Sequence, residues 1–367
     1  MKIFILSGEP SGDEYGALLM KNIKERSNNV TFIGIGGNLM SRQGLQSIVP
    51  LNQISIMGFF EVIKNIFFFL NLEKKILEII KKENPDKIIL IDYPGLNLRL
   101  APKIKSFSRS KIFYYISPQI WAWKEKRLNK IKKFIDHMIV IFEFEKMWYQ
   151  KRNYEVHYVG HPFLDIWQKD KLNEFINQYN LDVSNPILTL FPGSRKQEIN
   201  KHLKLFIDVA NELKKSVPKL QILIGLNKNV KINHKINNNI ILVRDNPLKA
   251  LEIANAAIIA SGTATLQSAI MRTPAAVVYK MNVLSWWMTK FLVKVKFASM
   301  VNIIANKMVF KEFLQEKATI NNIKKEIEKI LMNEKYKKEI MSDLNLINKK
   351  IGLSGATKKA ASFIMSN

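Results

Sequence analysis

The sequence contains no cysteine and no long run of uncharged apolar residues. Without cysteine the chain cannot form disulfides, thiolate metal sites or a cysteine nucleophile. No stretch provides the roughly 20 apolar residues with which a helix spans a bilayer. The apolar start, residues 1–7, is too short for the core of a signal peptide. These absences predict a protein of a reducing compartment that stays on the cytoplasmic side of the membrane.

Metal-ligating side chains are few and dispersed. The 5 histidines are scattered along the chain, and no Asp-x-Asp pair occurs. The paired carboxylates that hold a nucleotide-bound metal are therefore missing. The sequence predicts a reaction that requires neither a metal ion nor another cofactor.

Acidic residues are scarce relative to basic ones, with 31 Asp+Glu against 57 Lys+Arg and a net charge of +26. Such a charge attracts polyanions, either nucleic acid or an anionic membrane face. It also arises from a composition rich in Lys, Asn and Ile, as in residues 228–233. Because the lysines spread over both halves without a nucleic-acid-binding motif, we expect no nucleic-acid partner, although a basic nucleic-acid-binding protein stays an alternative.

Apolar runs rich in β-branched residues alternate with helical stretches along the chain. The runs are 3–6, 31–35, 87–91, 111–116, 137–142, 156–159, 187–191, 220–224, 240–243, 256–260 and 275–279. Continuous apolar strands between helices indicate parallel sheets that are covered on both faces. The pattern predicts an α/β fold.

A chain of 367 residues exceeds one hydrophobic core, so two domains are expected. The turn residues at 160–162 favour doubly wound, Rossmann-like domains at 1–163 and 164–345. Ligands of such sheets bind at the carboxyl ends of the strands, so the cleft between the domains is the expected site. A lysine-rich helical tail, residues 346–367, is a candidate to pack back on the first domain.

Two loops of the first half carry polar residues directly after a predicted strand. Gly8-Glu9-Pro10-Ser11-Gly12-Asp13 would bring backbone N–H groups close to a polar ligand at a helix start, or is an ordinary turn. Asp92 ends the strand 87–91. Partial burial would raise the pKa of Asp92 and suit it to general-base work, whereas a turn-initiating aspartate before Pro-Gly is the alternative.

Two loops of the second half have the composition of anion-binding turns. Gly193, Ser194 and Arg195 follow the strand 187–191, and residues 261–263 (Ser-Gly-Thr) follow the strand 256–260. Each loop meets a helix start, where hydroxyl and amide groups bind anions or simply cap the helix. Two such loops in one domain, one with an arginine, favour a diphosphate site.

Two segments are unusually aromatic. Residues 57–70 contain Phe59, Phe60, Phe67, Phe68 and Phe69. Trp286 and Trp287 precede several lysines. Each segment is either a deeply buried helix or a surface that contacts acyl chains and the bilayer interface. The occurrence of both in one chain favours membrane contact.

Eight blocks of the sequence together carry a family resemblance. They are residues 8–13, 57–62, 91–97, 117–123, 144–146, 159–161, 191–195 and 261–265. The most specific is Ser117-Pro118-Gln119-Ile120-Trp121-Ala122-Trp123, which Lys124–Arg127 follow. In this order the blocks resemble the lipid-A-disaccharide synthases across nearly the whole chain.

The resemblance implies a GT-B hexosyltransferase that acts peripherally at the inner membrane. Its donor would be UDP-2,3-diacylglucosamine and its acceptor 2,3-diacylglucosamine 1-phosphate (lipid X). The β-1,6-linked product would form with inversion at the anomeric carbon and release of UDP. Whether the chain forms a homodimer stays open.

The resemblance also implies roles for individual residues. Asp92 would deprotonate the acceptor 6-hydroxyl, and Arg195 would balance charge on the departing diphosphate. The implied nucleotide contacts are Ser194, Arg195, Ser261, Gly262, Thr263 and Gln267. The implied acceptor-loop residues are Gly8, Glu9, Ser11, Gly12, Asp13, Asn97, Trp121 and Asn302.

Two positions depart from the family pattern. Gln267 stands where the family usually has a glutamate that binds the ribose hydroxyls, which predicts weaker UDP binding. The proline that usually precedes Asn302 is missing. Another UDP-sugar enzyme of this fold, either a different glycosyltransferase or a 2-epimerase, and an inactive descendant of the enzyme are the remaining alternatives.

Overall fold

The chain forms two compact units in a computed structural model. The structure describes residues 1–367 except 55–65, 168–171, 195, 229, 231, 233–235, 238 and 282–294. One unit comprises Met1–Gln168 together with Ile351–Asn367, and the other comprises Lys169–Lys350. The boundary between the two units thus lies five residues after the expected boundary at 163. The C-terminal residues 351–367 belong to unit 1 again.

The core of unit 1 is a seven-stranded parallel sheet in the order β3-β2-β1-β4-β5-β6-β7. Its strands are β1 Lys2–Ser7, β2 Thr31–Ile35, β3 Leu45–Ser47, β4 Lys87–Ile91, β5 Lys111–Tyr115, β6 His137–Val140 and β7 His157–Tyr158. The order reverses between β1 and β4, which pair side by side. Unit 1 therefore has a topological switch point between these strands.

Helices cover the sheet of unit 1, which explains its apolar strands. They are α1 Pro10–Lys24, α2 Asn38–Arg42, α3 Ile66–Glu83, α4 Pro94–Lys105, α5 Arg127–Phe134, α6 Glu143–Gln150 and α7 Phe163–Ile166. Ile88, Ile89 and Leu90 of the central β4 have no solvent exposure. Such strands need apolar residues at consecutive positions because both faces are buried.

Unit 2 repeats the design with a six-stranded parallel sheet in the order β10-β9-β8-β11-β12-β13. Its strands are β8 Ile187–Phe191, β9 Gln221–Gly225, β10 Ile240–Val243, β11 Ala256–Ala260, β12 Ala275–Tyr279 and β13 Glu312–Leu314. Its helices are α8 Leu172–Gln178, α9 Lys196–Ser216, α10 Pro247–Ile253, α11 Thr263–Ile270, α12 Met300–Ala305, α13 Ile320–Met332 and α14 Glu334–Ile351. The switch point lies between β8 and β11.

The last helix, α15 (Ala356–Ser366), belongs to unit 1 and packs on α1. Asp165 accepts hydrogen bonds from the backbone N–H of Gly355 and Thr357 and from the Thr357 hydroxyl. These bonds fix the start of α15 next to α7.

All the strands predicted from the sequence occur, with ends shifted by at most two residues. The predicted α/β class is therefore confirmed. The short strands β3 and β13 were missed because Gln46, Ser47 and Glu312 interrupt their apolar pattern. Among the described helices, none is both long enough and apolar enough to cross a membrane.

Candidate active site

The candidate site of unit 1 lies at its switch point. The loop Gly8–Asp13 leaves β1, and Asp92 directly follows the adjacent β4. Both segments therefore meet at the carboxyl-end edge of the sheet, where doubly wound folds bind ligands. The site thus brings together the two loops that the sequence analysis selected in this half.

A cavity of about 210 Å³ opens beside Asp92. It is lined by Asp92, Pro94, Ile116, Ser117, Gln119, Trp123, Ile141, Phe142 and Glu145. These residues come from the ends of β4, β5 and β6 and from the start of α6. The cavity therefore combines apolar walls with two carboxyl groups, which is typical of a small-molecule site.

The main chain around the cavity has an unusual conformation. Asp92, Tyr93 and Ile116 have φ values of 43°, 44° and 67°. This left-handed region is disfavoured for side chains other than glycine, above all for a β-branched residue such as Ile116, and costs about 1–3 kcal/mol per residue. Such strain concentrates at functional sites, where the surrounding structure enforces it.

Two side chains hold Asp92 in place through its carbonyl oxygen. The Asn97 amide donates to this oxygen at 2.7 Å, and the Tyr114 hydroxyl donates to it at 2.5 Å. Asn97 is fully buried. It therefore positions the proposed base from within the fold, while the Asp92 carboxyl lines the cavity.

The Asp92 carboxyl has an elevated pKa. Burial and, second to it, the negative charge of Glu9 raise this pKa from 3.8 to about 7, against a hydrogen bond from the Tyr93 backbone that lowers it. A carboxylate with a pKa near 7 is a stronger base than an exposed one and is still ionised for much of the time at neutral pH. The position predicted for a general base thus has the matching electrostatics.

Glu145 is the second carboxyl group of the cavity. It lies in the family block 144–146 but was not predicted as a site residue. It is buried, and Trp121 Nε1 donates to its Oε1 at 3.1 Å. The backbone N–H groups of Ile141 and Phe142 donate to Oε2 at 3.3 Å each. Glu145 therefore caps the start of α6 and anchors Trp121 at the same time.

The charge of Glu145 depends on its surroundings and on Asp92. Burial raises the pKa of Glu145, the three hydrogen bonds lower it and the negative charge of Asp92 raises it, which together give a pKa of about 7. Asp92 and Glu145 therefore both have pKa values raised to about 7, and the charge of Asp92 acts on Glu145. Two acids with linked titrations at one cavity are a frequent feature of active sites.

The glycines of the first loop permit close packing. A Cβ atom at Gly8 would lie 2.3 Å from Cγ of Tyr93, and one at Gly12 would lie 2.3 Å from Oγ of Ser7. Larger residues at these positions would displace the neighbours that shape the loop. Gly8 and Gly12, which were predicted as acceptor-loop residues, serve the packing of the site.

Asp13 has a structural role in place of the expected substrate contact. It is buried, and its carboxylate accepts hydrogen bonds from the backbone N–H groups of Gly37, Leu39 and Met40 at 2.7–3.1 Å. These bonds cap the start of α2. Glu9 and Ser11 are partly exposed in the same loop, so they remain the residues with access to a ligand.

Asn302 also lies inside the fold. Its amide donates to the Phe310 carbonyl at 2.7 Å and to Glu312 Oε1 at 2.8 Å. Its oxygen accepts from the N–H groups of Val309 and Phe310 at 2.8 and 2.9 Å. Because the side chain is fully buried and fully bonded, the expected contact of Asn302 with substrate is corrected to a structural role.

The anion loops of unit 2 lie on neighbouring strands. Ser194 follows β8, and Ser261 follows β11, which pairs with β8 across the switch point. The Ser194 N–H donates to Glu198 Oε2 at 3.0 Å, so this amide bonds a carboxylate of its own helix. Gly262 has a φ of 154° and is the N-cap residue of α11. No atom lies within 4 Å of the position that a Cβ would take at this residue. Thr263 is exposed, and Gln267 lies partly buried on α11.

His202 supports the first anion loop and was not selected from the sequence. Its Nδ1 lies 3.2 Å from the Pro192 carbonyl, and its Nε2 accepts from the Lys280 N–H at 2.9 Å. Burial lowers the pKa of His202, in keeping with a neutral ring that carries its proton on Nδ1. The ring thus connects the loop after β8 with the end of β12. Only the tertiary fold reveals this contact.

Of the aromatic residues expected to contact lipid, three can be placed. Phe67 is 78% exposed, Phe68 is partly buried and Phe69, at 5%, lies in the core of unit 1. The assignment of Phe69 to a lipid surface is therefore corrected. Phe59, Phe60, Trp286, Trp287 and the predicted catalytic Arg195 lie outside the described residues.

Metal ligands do not cluster in the described part of the chain. Within those residues, no group of three or more His, Asp or Glu side chains is arranged to bind an ion. Among the residues that line the cavity of unit 1, two carry carboxyl groups, Asp92 and Glu145.

Comparison with known proteins links this chain to one family. The family model described as lipid-A-disaccharide synthetase matches residues 3–364. The lipid-A-disaccharide synthase of Coxiella burnetii is 34% identical over 366 residues, which cover 99% of this chain and 97% of the relative. That of Myxococcus xanthus is 31% identical over 371 residues, with coverage of 99% and 97%.

Solved structures share the fold at low sequence identity. A UDP-GlcNAc 2-epimerase from Neisseria meningitidis, bound to UDP-GlcNAc, superposes with a TM-score of 0.67 at 11% identity and full coverage of both chains. The calicheamicin glycosyltransferase CalG4 superposes with a TM-score of 0.61 at 12% identity, covering 100% of this chain and 97% of that one. The predicted GT-B fold is confirmed.

Proposed function

The chain belongs to the lipid-A-disaccharide synthetase family and is a glycosyltransferase of lipid A biosynthesis, and we propose that it joins UDP-2,3-diacylglucosamine to 2,3-diacylglucosamine 1-phosphate. The observation that carries this proposal is Asp92, a carboxyl group with a pKa near 7 at the switch point of unit 1. A base of this strength, set in a cavity with apolar walls, suits the activation of a sugar hydroxyl.

In the proposed reaction Asp92 takes the proton of the acceptor 6-hydroxyl. The oxygen then attacks the anomeric carbon of the donor from the face opposite the diphosphate. The new C–O bond forms as the bond between the anomeric carbon and the diphosphate oxygen breaks, so the configuration inverts and UDP leaves with the bonding electrons. The proton on Asp92 subsequently passes to solvent.

We assign the donor to unit 2. Its loops at Ser194 and at Ser261–Thr263 lie at the ends of two paired strands, and the second loop opens α11, where the helix start favours an anion. Gly262 leaves open space beside the start of α11, which a phosphate oxygen would fill. Arg195 would balance the charge of the leaving diphosphate.

We assign the acyl chains and the membrane surface to the side of unit 1 that carries the start of α3. Phe67 and Leu70 are exposed there at successive turns, and Lys74 follows one turn later. Exposed apolar side chains beside a lysine favour an interface with anionic lipid.

The test is UDP release by the purified protein supplied with both lipids. Wild-type turnover should require the donor and the acceptor together, and Asp92→Asn should lower kcat by about 10²–10⁴-fold, the usual contribution of a general base. Asp208→Asn, which removes a partly exposed carboxylate that pairs with Lys204 on α9, is the matched control and should leave the rate unchanged.

Two outcomes would contradict the proposal. One is full activity of Asp92→Asn, which would exclude Asp92 as the base. The other is conversion of UDP-GlcNAc by the wild type in the absence of an acceptor, which would indicate an epimerase on the same fold.

A further inference from the structure

The loop between β5 and α5 places two cations on one tryptophan ring. Lys124 Nζ lies 4.2 Å from the centre of the Trp123 ring, and Arg127 Cζ lies 5.6 Å from it. Lys124 has a φ of 57°, a left-handed conformation that is costly for lysine. Trp123, Lys124 and Arg127 are called the cationic clamp below.

The positive charge of the clamp is not compensated from within the protein. In the described part of the chain neither Lys124 nor Arg127 has a carboxylate partner, and Glu125 between them pairs with Arg152 at 2.8 Å. Burial lowers the pKa of Lys124, and the neighbouring Arg127 lowers it further. Two like charges held together in this way are destabilising until an anion joins them.

The clamp adjoins the cavity of the proposed base. Trp123, which is 36% exposed, lines this cavity together with Asp92. The charge of Arg127 acts on Tyr114, and the Tyr114 hydroxyl donates to the Asp92 carbonyl. Arg127 is also the first residue of α5, so the positive end of the helix dipole adds to the field. An anionic group bound here would belong to the same ligand molecule as the hydroxyl group that Asp92 deprotonates.

We propose that Trp123, Lys124 and Arg127 bind the phosphate monoester of the acceptor sugar. This assignment rests on the proposed function and specifies how its acceptor is recognised. The 6-hydroxyl and the anomeric phosphate project from opposite ends of a glucosamine ring, so a sugar with its 6-hydroxyl at Asp92 presents its phosphate one ring length away. The guanidinium of Arg127 would bind two phosphate oxygens, and the ammonium of Lys124 would bind the third.

An anionic lipid headgroup offers the same phosphate chemistry. The acceptor phosphate is the better match because Trp123 of the clamp lines the cavity of the proposed base, whereas a headgroup would bind on an open surface. The experiment below separates the two sources.

The test compares two acceptors in steady-state kinetics with the full-length protein in neutral detergent. One is 2,3-diacylglucosamine 1-phosphate, and the other is the same lipid without its phosphate, measured as a substrate or as a competitive inhibitor. Arg127→Gln and Lys124→Gln should raise KM for the phosphorylated lipid by roughly 10- to 100-fold, the loss of one hydrogen bond between charged groups. Affinity for the dephosphorylated lipid should change by less than about twofold in the same variants.

Lys130→Gln is the control, since it removes an exposed lysine one turn further along α5, and it should change neither constant. Equal losses for both lipids, or an equally large effect of Lys130→Gln, would overturn the proposal. So would a loss that occurs only with vesicles of anionic phospholipid and is absent in neutral detergent, because the bound anion would then be the headgroup. If the wild type used neither acceptor, the proposed function would fail. The phosphate site would then be tested separately by the binding of glucosamine 1-phosphate, which Arg127→Gln should weaken.

Discussion

At the scale of single residues, Asp92 combines a proposed chemical role with a cost to the fold. Its carboxyl group is held by strained backbone, near the negative charge of Glu9 and in a largely apolar setting. Each of these features raises its pKa or the energy of the folded state. An arrangement that weakens the fold while preparing a base is typical of an active site.

The pKa of Asp92 predicts the pH dependence of turnover. Because the ionised form acts as the base, kcat/KM should rise with pH and level off above an apparent pKa of about 7. Glu9→Gln removes a negative charge that raises this pKa, so the acidic limb of the profile should move to lower pH. The measurement is kcat/KM from pH 5 to 9, the range that covers the acidic limb and the plateau.

Glu25→Gln is the control for Glu9→Gln. Glu25 follows the opposite end of α1, far along the helix from Asp92, so its removal should not shift the limb. A limb that stays in place or moves to higher pH in Glu9→Gln would contradict the electrostatic coupling of Glu9 with Asp92.

The same pKa predicts a gain in stability from Asp92→Asn. The folded-state pKa of about 7 lies above the ordinary value of 3.8, so the folded protein binds more protons between these values and loses stability as the pH rises through this window. At pH 8 asparagine should therefore stabilise unit 1 by on the order of 2 kcal/mol, and the gain should shrink towards pH 4.

Thermal unfolding of wild type and Asp92→Asn at pH 5 and pH 8 measures this gain. The difference in Tm should amount to a few degrees at pH 8 and be smaller at pH 5. A lower Tm of the variant at pH 8 would show that the Asp92 carboxylate stabilises the fold.

At the scale of elements, buried polar side chains connect strand ends to the helices that follow. His202 joins the loop after β8 to the end of β12, Asp13 caps α2, and Asn302 joins α12 to the segment before β13. Each replaces backbone hydrogen bonds that irregular segments lack. The loops that would bind substrate are positioned by these contacts.

Asn302→Ala should destabilise unit 2 by about 3 kcal/mol or more. The change leaves the N–H groups of Val309 and Phe310 and the carbonyl of Phe310 without partners in the interior, and each unpaired buried group costs about 1–3 kcal/mol. Urea unfolding measures the loss, with Asn322→Ala on the exposed start of α13 as the milder control. Unchanged stability together with a raised KM would show that Asn302 contacts the substrate.

At the scale of the whole molecule, the chain enters unit 2 once and returns to unit 1 for its last helix. The helix α15 packs on α1, and its start is bonded to Asp165. Ala356, Ala360, Ala361 and Ile364 of α15 are fully buried. The C-terminal residues are therefore part of the core of unit 1, although they lie far from it in sequence.

Removal of residues 352–367 should destabilise unit 1 and spare unit 2. The deletion exposes the face of α1 that α15 covers and leaves the Asp165 carboxylate without its donors. UDP binding, which we assign to unit 2, should persist, whereas acceptor turnover should be lost near the unfolding temperature of unit 1. Calorimetry with and without UDP measures both effects. Equal losses of stability in unit 1 and unit 2 would contradict the assignment of these C-terminal residues to unit 1.

Local pattern was sufficient for much of this protein. Apolar β-branched runs predicted the main strands, because a strand buried on both faces requires apolar side chains at consecutive positions. The polar residue after such a strand, Asp92 or Ser261, was found by the same reasoning, since parallel strands end at a common edge. The family resemblance also needed only the order of short blocks.

Contacts between distant residues required the tertiary structure. The placement of Glu145 in the Asp92 cavity, the core position of Phe69 and the bonding of Asp13 and Asn302 depend on which elements pack together. An aspartate or asparagine in a loop has the same appearance in sequence whether it faces a ligand or the backbone of a neighbouring segment. Sequence periodicity determines which face of an element is buried, whereas the partner of a polar side chain is decided only when the elements assemble.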